Sequence, residues 1–317
     1  MQVFKKASFF DKNIPTAVTI GTFDGVHVGH RKILCQLVEL AEKEDLESTL
    51  LTFFPHPRMV LQSESDIKLI NTIEEKKRIL EHTGIDNLVI HPFSVEFSRL
   101  SARDFVEKIL VKALNAKKVI IGYDHRFGRN RTANIEDLKI FGEEFNFEVK
   151  EISKEEIEET TVSSTKIRKA LENGEIEKAN AYLGAPFMLT GKVIRGKNLG
   201  KKLGFPTANL EIKEPYKLIP KNGVYVVSSI IDGKKTYGMM SIGTNPTVGL
   251  NNPRSIETHF FDFDANLYEQ TLQIDLLAKI REEQKFDTLQ QLSDAMEKDR
   301  EYSHKFIRNQ EPLNPSS

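Results

Sequence analysis

The stretch that decides the fold is residues 17–44, AVTIGTFDGVHVGHRKILCQLVELAEKE, in which a β-branched run leads through a glycine-rich turn into apolar residues at helical spacing. This pattern predicts a strand over Ala17–Phe23 and an amphipathic helix over His30–Glu44. Glycines in the turn permit positive φ and let a phosphate approach the backbone, and the start of the helix offers unpaired N–H groups and the positive end of a dipole. The junction is therefore predicted to bind an anion.

The same alternation of strand and helix continues through the first half of the chain. Strands are predicted at Ser48–Phe54, Asn87–Phe93 and Lys118–Gly122, with helices at Ile73–His82 and Ala102–Asn115 between them. Successive right-handed βαβ units form a doubly wound parallel sheet, whose ligands lie at the carboxyl ends of the strands. We therefore expect a Rossmann-like α/β domain in which the loops after the strands carry the function.

The pattern changes near residue 185. Helices are predicted at Ser164–Glu172 and Ile176–Leu183, and the sequence Gly-Ala-Pro then stops the helical spacing. Domains are expected at residues 1–184 and 185–317, the second a small antiparallel β-barrel with a terminal helix, or alternatively a sandwich. Its predicted elements are strands at Phe187–Arg195, Val224–Ile231, Thr236–Ile242, Ile256–Phe263 and Leu272–Ile280 and a helix at Thr288–Arg308.

Composition excludes several classes of protein. A chain of 317 residues with 39% hydrophobic and 29% charged residues is long enough for about two globular domains and too apolar to be disordered. No apolar run is long enough to span a bilayer, and the amino terminus does not resemble a secretory signal. The single Cys35 excludes an intramolecular disulfide and a thiolate zinc site, and the net charge of −1 gives no global field for nucleic acid or an anionic membrane. We expect a cytoplasmic protein, and its oligomeric state is left open.

Two histidines flank Gly29 at the first junction. His27 and His30 could aim imidazole N–H groups at phosphate oxygens whose charge changes during group transfer. The motif His-x-Gly-His at the junction of a strand and a helix resembles that of the nucleotidyltransferase superfamily. The resemblance implies that His27 and His30 are catalytic and that the turn binds ATP through Gly21, Phe23, Asp24, Gly25 and Gly29.

A second segment, Val162–Arg168, resembles the Ser-Thr-x-x-Arg segment of the same superfamily. The resemblance implies that hydroxyls and a guanidinium at the start of a helix hold the β- and γ-phosphates of ATP, with Ser164, Thr165 and Arg168 as the groups concerned. Taken alone, the segment could equally be a helix N-cap.

Two further segments point to one family within this superfamily. Phe54–Arg58 and Gly122–Gly128 resemble parts of the FMN adenylyltransferase module of bacterial FAD synthetases, over roughly residues 14–184. Phe54 and His125 depart from the pattern of that module and receive no role. The resemblance implies flavin contacts at His56, Asp124 and Phe127.

The second half begins with a basic, glycine-rich stretch. Residues 192–202 contain five Lys or Arg and no acidic residue, and residues 191–204 contain four glycines, so a loop of backbone N–H groups could bind phosphate without a Walker motif. The segment Pro-Thr-Ala-Asn follows, and it places Thr207 and Asn209 where their side-chain oxygens suit Mg²⁺ bound to ATP.

This second half resembles riboflavin kinase over residues 185–308, through Pro-Thr-Ala-Asn, Gly243–Thr247 and Ile256–His259. The resemblance implies that Glu257 is the general base that accepts the proton of the ribityl hydroxyl, and that Thr207 and Asn209 bind the metal. Arg281 and Phe286 match a later family segment without an assigned role. The implied ATP-binding residues of the kinase are Gly191, Gly196, Lys197, Gly200, Lys202, Thr207 and Asn209.

Together the two halves resemble the modules of the bacterial bifunctional riboflavin kinase/FMN adenylyltransferase family. The resemblance implies conversion of riboflavin and ATP to FMN in the second domain, then of FMN and ATP to FAD and pyrophosphate in the first, with Mg²⁺ in both steps and flavins as substrates and products. Two alternatives stay open: a monofunctional nucleotidyltransferase whose barrel only binds, and a flavin-binding sensor or carrier without turnover.

Overall fold

A six-stranded parallel sheet forms the centre of the first half of the chain. Its strands lie in the order β1-β4-β3-β2-β5-β6, and every neighbouring pair is parallel. The computed structural model describes residues 1–62, 66–123, 125–153, 162–196, 204–244 and 254–310. The strands are β1 (Gln2–Phe4), β2 (Thr16–Ile20), β3 (Glu47–Phe53), β4 (Asn87–His91), β5 (Ala116–Gly122) and β6 (Glu148–Ile152).

The central strands are buried on both faces because alternate residues enter two separate cores. One core includes Ala17, Leu50 and Leu88, whereas the other includes Val18, Leu51 and Val89. The helices that cover the sheet are α1 (Val28–Lys43), α2 (Pro57–Leu61), α3 (Ile73–Glu81), α4 (Ala102–Phe105), which continues as a π-helix over Val106–Val111, and α5 (Ile135–Phe145). The predicted doubly wound parallel sheet is confirmed.

The strand order fixes where ligands can bind. From β2 the chain proceeds to β3 and β4 on one side, while β5 and β6 lie on the other side of β2. The reversal between β2 and β5 is a topological switch point, and in open α/β sheets ligands bind beyond the carboxyl ends of the strands at such a point. Residues 21–30 leave β2 at this end and lead directly into α1.

The second half of the chain contains a closed six-stranded antiparallel barrel, with the order β10-β11-β8-β7-β12-β9. The barrel, and not the alternative sandwich, is therefore confirmed. Its elements, with the two helices that precede it, are α6 (Ser164–Asn173), α7 (Ile176–Leu183), β7 (Phe187–Ile194), β8 (Ala208–Glu211), β9 (Gly223–Ile231), β10 (Lys234–Thr244), β11 (Arg254–Phe260), β12 (Thr271–Glu282) and α8 (Leu289–Gln310).

The chain divides into two units, Met1–Ser164 and Thr165–Ser317. Almost all of α6, and all of α7, belongs to the second unit, where the Asn180 side chain donates a hydrogen bond to the Leu276 carbonyl of β12. The sequence-based domain bounds at 184 and 185 stay a prediction.

Part of the carboxylate-rich region after residue 143 is a strand, which was not predicted from the sequence. Residues Glu148–Ile152 form the edge strand β6, in which only Ile152 is fully buried. Its backbone pairs with β5, so hydrogen bonds to a neighbouring strand hold a segment whose side chains are mostly polar. The elements β1, α5 and β8 are likewise absent from the sequence-based prediction.

Candidate active sites

The turn that follows β2 has an unusual backbone. Phe23 and Val26 have φ values of 45° and 40°, although neither is glycine, and Gly25 has a φ of 89°. A side chain at Gly21 would lie 2.8 Å from the Phe23 ring, so glycine is needed there. Backbone strain in non-glycine residues persists only where surrounding contacts enforce it, and it concentrates at functional sites.

Side chains from three distant parts of the first unit hold the carbonyl groups of this turn. The Lys76 ammonium and the Thr52 hydroxyl donate to the Thr22 carbonyl at 2.6 and 3.1 Å. The Ser164 hydroxyl donates to the Asp24 carbonyl at 2.9 Å. The strained turn is thus fixed from outside itself.

His27 and His30 form a stacked pair at the start of α1. Their ring centroids are 3.6 Å apart with the planes 16° from parallel, and the Phe23 ring lies 4.6 Å from that of His30. His27 is the N-cap of α1, where its Nδ1 accepts the backbone N–H of His30 at 3.4 Å. Because Nδ1 is an acceptor, the neutral His27 ring carries its proton on Nε2.

Burial keeps both histidines neutral. It lowers the pKa of His27 to about 4, against a smaller opposing effect of the Asp24 charge. The pKa of His30 is also well below its usual value, first through burial and then through electrostatic interactions with His27 and with the Lys76 ammonium. Near pH 7 the pair therefore offers N–H donors without carrying charge.

The other residues predicted to bind ATP for adenylyl transfer differ in their surroundings. The buried Asp24 carboxylate accepts the backbone N–H of Ile70 at 3.0 Å and that of Asn71 at 3.4 Å, so it also ties the turn to the segment before α3. Gly29 is buried within the first turn of α1. Thr165 and Arg168 follow Ser164 on α6, and they belong to the second unit.

Aromatic side chains cluster beyond the carboxyl ends of β3, β4 and β5. Phe97 lies at the centre, with ring centroids 4.7 to 6.1 Å from those of His91, Phe53, Phe93 and Phe105. The predicted flavin-binding Phe127 extends the cluster, 6.0 Å from Phe105 and stacked with His125 at 6.3 Å. The sequence predicts no site role for Phe93 and Phe97, because apolar residues at the end of a strand are usually core.

The predicted flavin-binding His56 has a structural contact of its own. It is the N-cap of α2, and its Nδ1 accepts the backbone N–H of Arg58 at 3.2 Å. Four other predicted site residues, Asp124, Lys197, Gly200 and Lys202, lie outside the described residues.

In the barrel, the three polar residues predicted for the kinase come together. Asn209 of β8 is the register partner of Glu257 on β11, so their side chains share one face. The Thr207 hydroxyl donates to Glu257 Oε2 at 3.2 Å. Two side-chain oxygens and an amide thus converge from adjacent antiparallel strands.

Two of the predicted glycines are required by close packing in this region. A Cβ at Gly196 would lie 2.5 Å from Asn209 Cγ and would overlap its amide nitrogen. A Cβ at Gly191 would lie 2.5 Å from the Glu211 carbonyl oxygen on the neighbouring strand. Both positions therefore hold β7 and the residues after it close to β8.

His259 lies next to Thr207 and Glu257, although no role for it was predicted from the sequence. Its Nδ1 lies 2.9 Å from the Pro206 carbonyl, next to Thr207, and its ring packs edge-on to Phe205 and Phe261. The sequence does contain an indication of this position, since His259 is two residues after Glu257 and so faces the same side of β11.

Arg281 is engaged within the barrel unit. Its guanidinium binds the buried Asp299 carboxylate of α8 through Nε at 2.9 Å and Nη2 at 2.8 Å, and it lies 5.5 Å from the Phe286 ring. The bidentate pair fixes α8 to the end of β12.

Comparison with known proteins supplies the family. The model of the FAD synthetase family matches residues 10–166, and that of the riboflavin kinase family matches residues 183–307. Curated relatives named bifunctional riboflavin kinase/FMN adenylyltransferase include one from Buchnera aphidicola subsp. Schizaphis graminum, 40% identical over 93% of this chain and 95% of its own length. Those from Listeria monocytogenes and Escherichia coli K12 are 36% and 34% identical, over 93% and 92% of both chains.

The chain belongs to the bifunctional riboflavin kinase/FMN adenylyltransferase family. Its FAD synthetase domain is amino-terminal and its riboflavin kinase domain is carboxy-terminal, which confirms the order predicted from the motifs. A solved structure titled macrolide-efflux protein from Streptococcus pneumoniae is similar over 96% of this chain and 98% of that one, with a TM-score of 0.86 and 32% identity. Among the described residues of this family member, no helix combines the length and apolarity needed to cross a bilayer.

Proposed function

We propose that this family member makes FAD from riboflavin in two ATP-dependent steps, each in its own unit. In the barrel, the terminal ribityl hydroxyl oxygen of riboflavin attacks the γ-phosphorus of ATP, its proton passes to Glu257, and ADP leaves. In the parallel-sheet unit, a phosphate oxygen of FMN attacks the α-phosphorus of ATP, and pyrophosphate leaves.

The observation that carries the second step is the stacked His27–His30 pair at the start of α1. The two ring centroids are 3.6 Å apart, and the strained turn with positive φ at Phe23 and Val26 directly precedes the pair in the chain. Negative charge grows on the bridging oxygen as pyrophosphate leaves. The helix dipole and neutral imidazole N–H donors stabilise such charge in place and need no reorganisation at the moment of reaction. ATP would lie along the turn from Gly21 to Gly29, with Ser164 beside its phosphates.

The kinase step rests on the contact between Thr207 and Glu257, 3.2 Å apart, with Asn209 opposite. Thr207 and Asn209 supply hard oxygen ligands, too few for a complete protein site but suited to Mg²⁺ that keeps waters and phosphate oxygens. Mg²⁺, when bound with ATP, neutralises charge on the phosphates. Glu257 then lies beside the nucleotide, where it accepts the hydroxyl proton. Gly191, Gly196 and the basic residues that follow in the sequence would complete the nucleotide site.

The aromatic cluster around Phe97 and Phe127 suits the isoalloxazine ring of FMN in the parallel-sheet unit. Flat aromatic rings with centroids 4.7 to 6.3 Å apart offer faces and edges against which a flavin can stack. We assign the flavin end of the site to this cluster, with His56 and Asp124 as polar contacts. The small-molecule substrates and the net charge of −1 fit an enzyme of the cytoplasm without a nucleic-acid or membrane partner.

A comparison of His30→Gln with the wild type tests the assignment of the two steps. We expect His30→Gln to lower the rate of FAD formation from added FMN by about 10²- to 10³-fold, as is usual when one charge-stabilising donor is removed. Phosphorylation of riboflavin by the same variant should be unchanged, because that step belongs to the barrel unit. FAD formation at the wild-type rate would contradict the assignment. Riboflavin binding without product in the wild type would favour the carrier alternative.

A further inference from the structure

Lys76 is a charged residue in the interior of the first unit. It lies on α3, where its side chain is 4% exposed. Burial lowers its pKa, and the nearby Asp24 charge opposes this only in part. A buried ammonium costs free energy unless it is paired or hydrogen-bonded, so a specific partner must compensate it.

The partner is the strained turn before α1. Lys76 Nζ donates to the Thr22 carbonyl at 2.6 Å, and the buried Thr52 hydroxyl donates to the same oxygen at 3.1 Å. With two donors in the interior, this carbonyl oxygen is directed away from the anion site that the turn surrounds. An inward carbonyl avoids repulsion with phosphate oxygens and helps to enforce the positive φ of Phe23, the next residue.

Lys76 also supplies charge. His27 and His30 are kept neutral, so they contribute donors and no net positive charge, whereas the charge of Lys76 acts on His30 and lowers its pKa. Charged groups on the packed elements include Asp24 in the turn, Arg31 on α1, whose Nε donates to the Val26 carbonyl, and Glu75 and Lys77 on α3.

We propose that Lys76 is a positioning residue for adenylyl transfer: its buried ammonium holds the Thr22 carbonyl inward and places a fixed positive charge beside the His27–His30 pair. The inference rests on the proposed function of the parallel-sheet unit and extends it to a residue of α3. Lys76 does not touch substrate in this role. It acts through the turn and through the histidines.

The first test compares Lys76→Met with Lys77→Met. Methionine keeps the length and apolar stem of lysine and removes the charge and the donor, and Lys77 is an adjacent lysine whose ion pair with Glu74 is exposed, at 2.7 Å. For FAD formation from FMN and ATP, we expect kcat to fall about 10²-fold in Lys76→Met, with a smaller change in the KM for ATP, because a displaced turn misplaces the reacting groups. Lys77→Met and riboflavin phosphorylation by both variants should match the wild type.

The second test is the pH profile of kcat, which a purely structural role would not move. Removing a positive charge beside His30 raises the pKa of that imidazole, so His30 becomes protonated at higher pH. The acid limb of the profile should therefore move to higher pH in Lys76→Met. Lys76→Arg keeps the charge, so its acid limb should stay at the wild-type position even if the larger guanidinium lowers kcat.

Several outcomes would overturn the inference. One is a kcat in Lys76→Met within twofold of the wild type, and another is a lower kcat with an unmoved acid limb. If Lys76→Met does not fold in its first unit, the arginine variant decides, and a shifted acid limb in it would refute the charge effect. A wild-type protein that forms no FAD would overturn the proposed function as well, whereas active wild type with an unaffected Lys76→Met overturns only the role of Lys76.

Discussion

Replacing Glu257 by glutamine tests whether the kinase site needs a proton acceptor at this position or only a side chain of the same shape. Glu257 Oε2 accepts the Thr207 hydroxyl at 3.2 Å, and Asn209 lies opposite on β8. Glutamine has nearly the same volume and can still accept that hydrogen bond through its amide oxygen, but it cannot take a proton. Loss of a general base slows a reaction by about 10²- to 10⁴-fold, which corresponds to about 3 to 5 kcal/mol of activation free energy.

The assay measures initial rates of FMN formation from riboflavin and ATP by chromatography. The same preparation is then given FMN and ATP, and we expect wild-type FAD formation, because that step belongs to the other unit. Glu211→Gln is the matched control, since Glu211 is an exposed glutamate at the end of β8. Wild-type FMN formation by Glu257→Gln, or an equal loss in Glu211→Gln, would refute the reasoning.

Three further predictions concern pH, packing and a buried ion pair. Because burial lowers the pKa of His27 from 6.5 to about 4, the unfolded chain binds a proton at this residue that the folded chain does not, so His27 alone should lower the free energy of unfolding by about 3 kcal/mol between pH 7 and pH 4; His27→Gln should therefore lose less stability than the wild type over this range, and an equal decline in thermal unfolding would contradict this. Gly196→Ala should displace Asn209, since the new Cβ would lie 2.5 Å from Asn209 Cγ, and lower the kinase rate by about 10-fold or more with normal conversion of FMN to FAD; an unchanged kinase rate would exclude the clash. Asp299→Asn leaves the Arg281 guanidinium without its bidentate partner and should destabilise the barrel unit by about 3 kcal/mol in urea unfolding, and a midpoint equal to that of the wild type would show that the pair contributes nothing.

The parts of the fold that could be predicted from sequence are those in which local pattern and burial agree. The helix predicted at Ile176–Leu183 is observed with those bounds, and Gly184 ends it with a φ of 70°, as a glycine C-cap does. The β2–α1 junction could also be predicted, because β-branched residues, glycines and a helical repeat follow one another within residues 17–44. In each case the neighbours in sequence are also the neighbours in space.

The parts that could not be predicted depend on distant residues. The edge strand β6 contains mostly charged side chains, and only its pairing with β5 makes it a strand. The helix predicted over Ala102–Asn115 starts correctly, but a π-helix occupies Val106–Val111, and the apolar repeat alone does not distinguish the two.

Lys76 shows the same limit within a site. In the sequence it stands within a run of five charged residues, Glu74–Arg78, and its partner Thr22 is 54 residues away. A local signal existed, since Lys76 is three residues after Ile73 and four before Leu80 and therefore lies on the apolar face of α3. A charged residue on the apolar face of a helix indicates that it has a buried partner, but the local pattern does not identify which residue that partner is.

The most direct test of the account is a time course of the purified protein with riboflavin, ATP and Mg²⁺, followed by chromatography of the three flavins. Two active units in one chain predict that FMN rises and then declines while FAD accumulates, with ADP and pyrophosphate as the other products. FMN that accumulates without FAD would contradict the assigned role of the parallel-sheet unit, and riboflavin that stays unconverted would contradict the account as a whole.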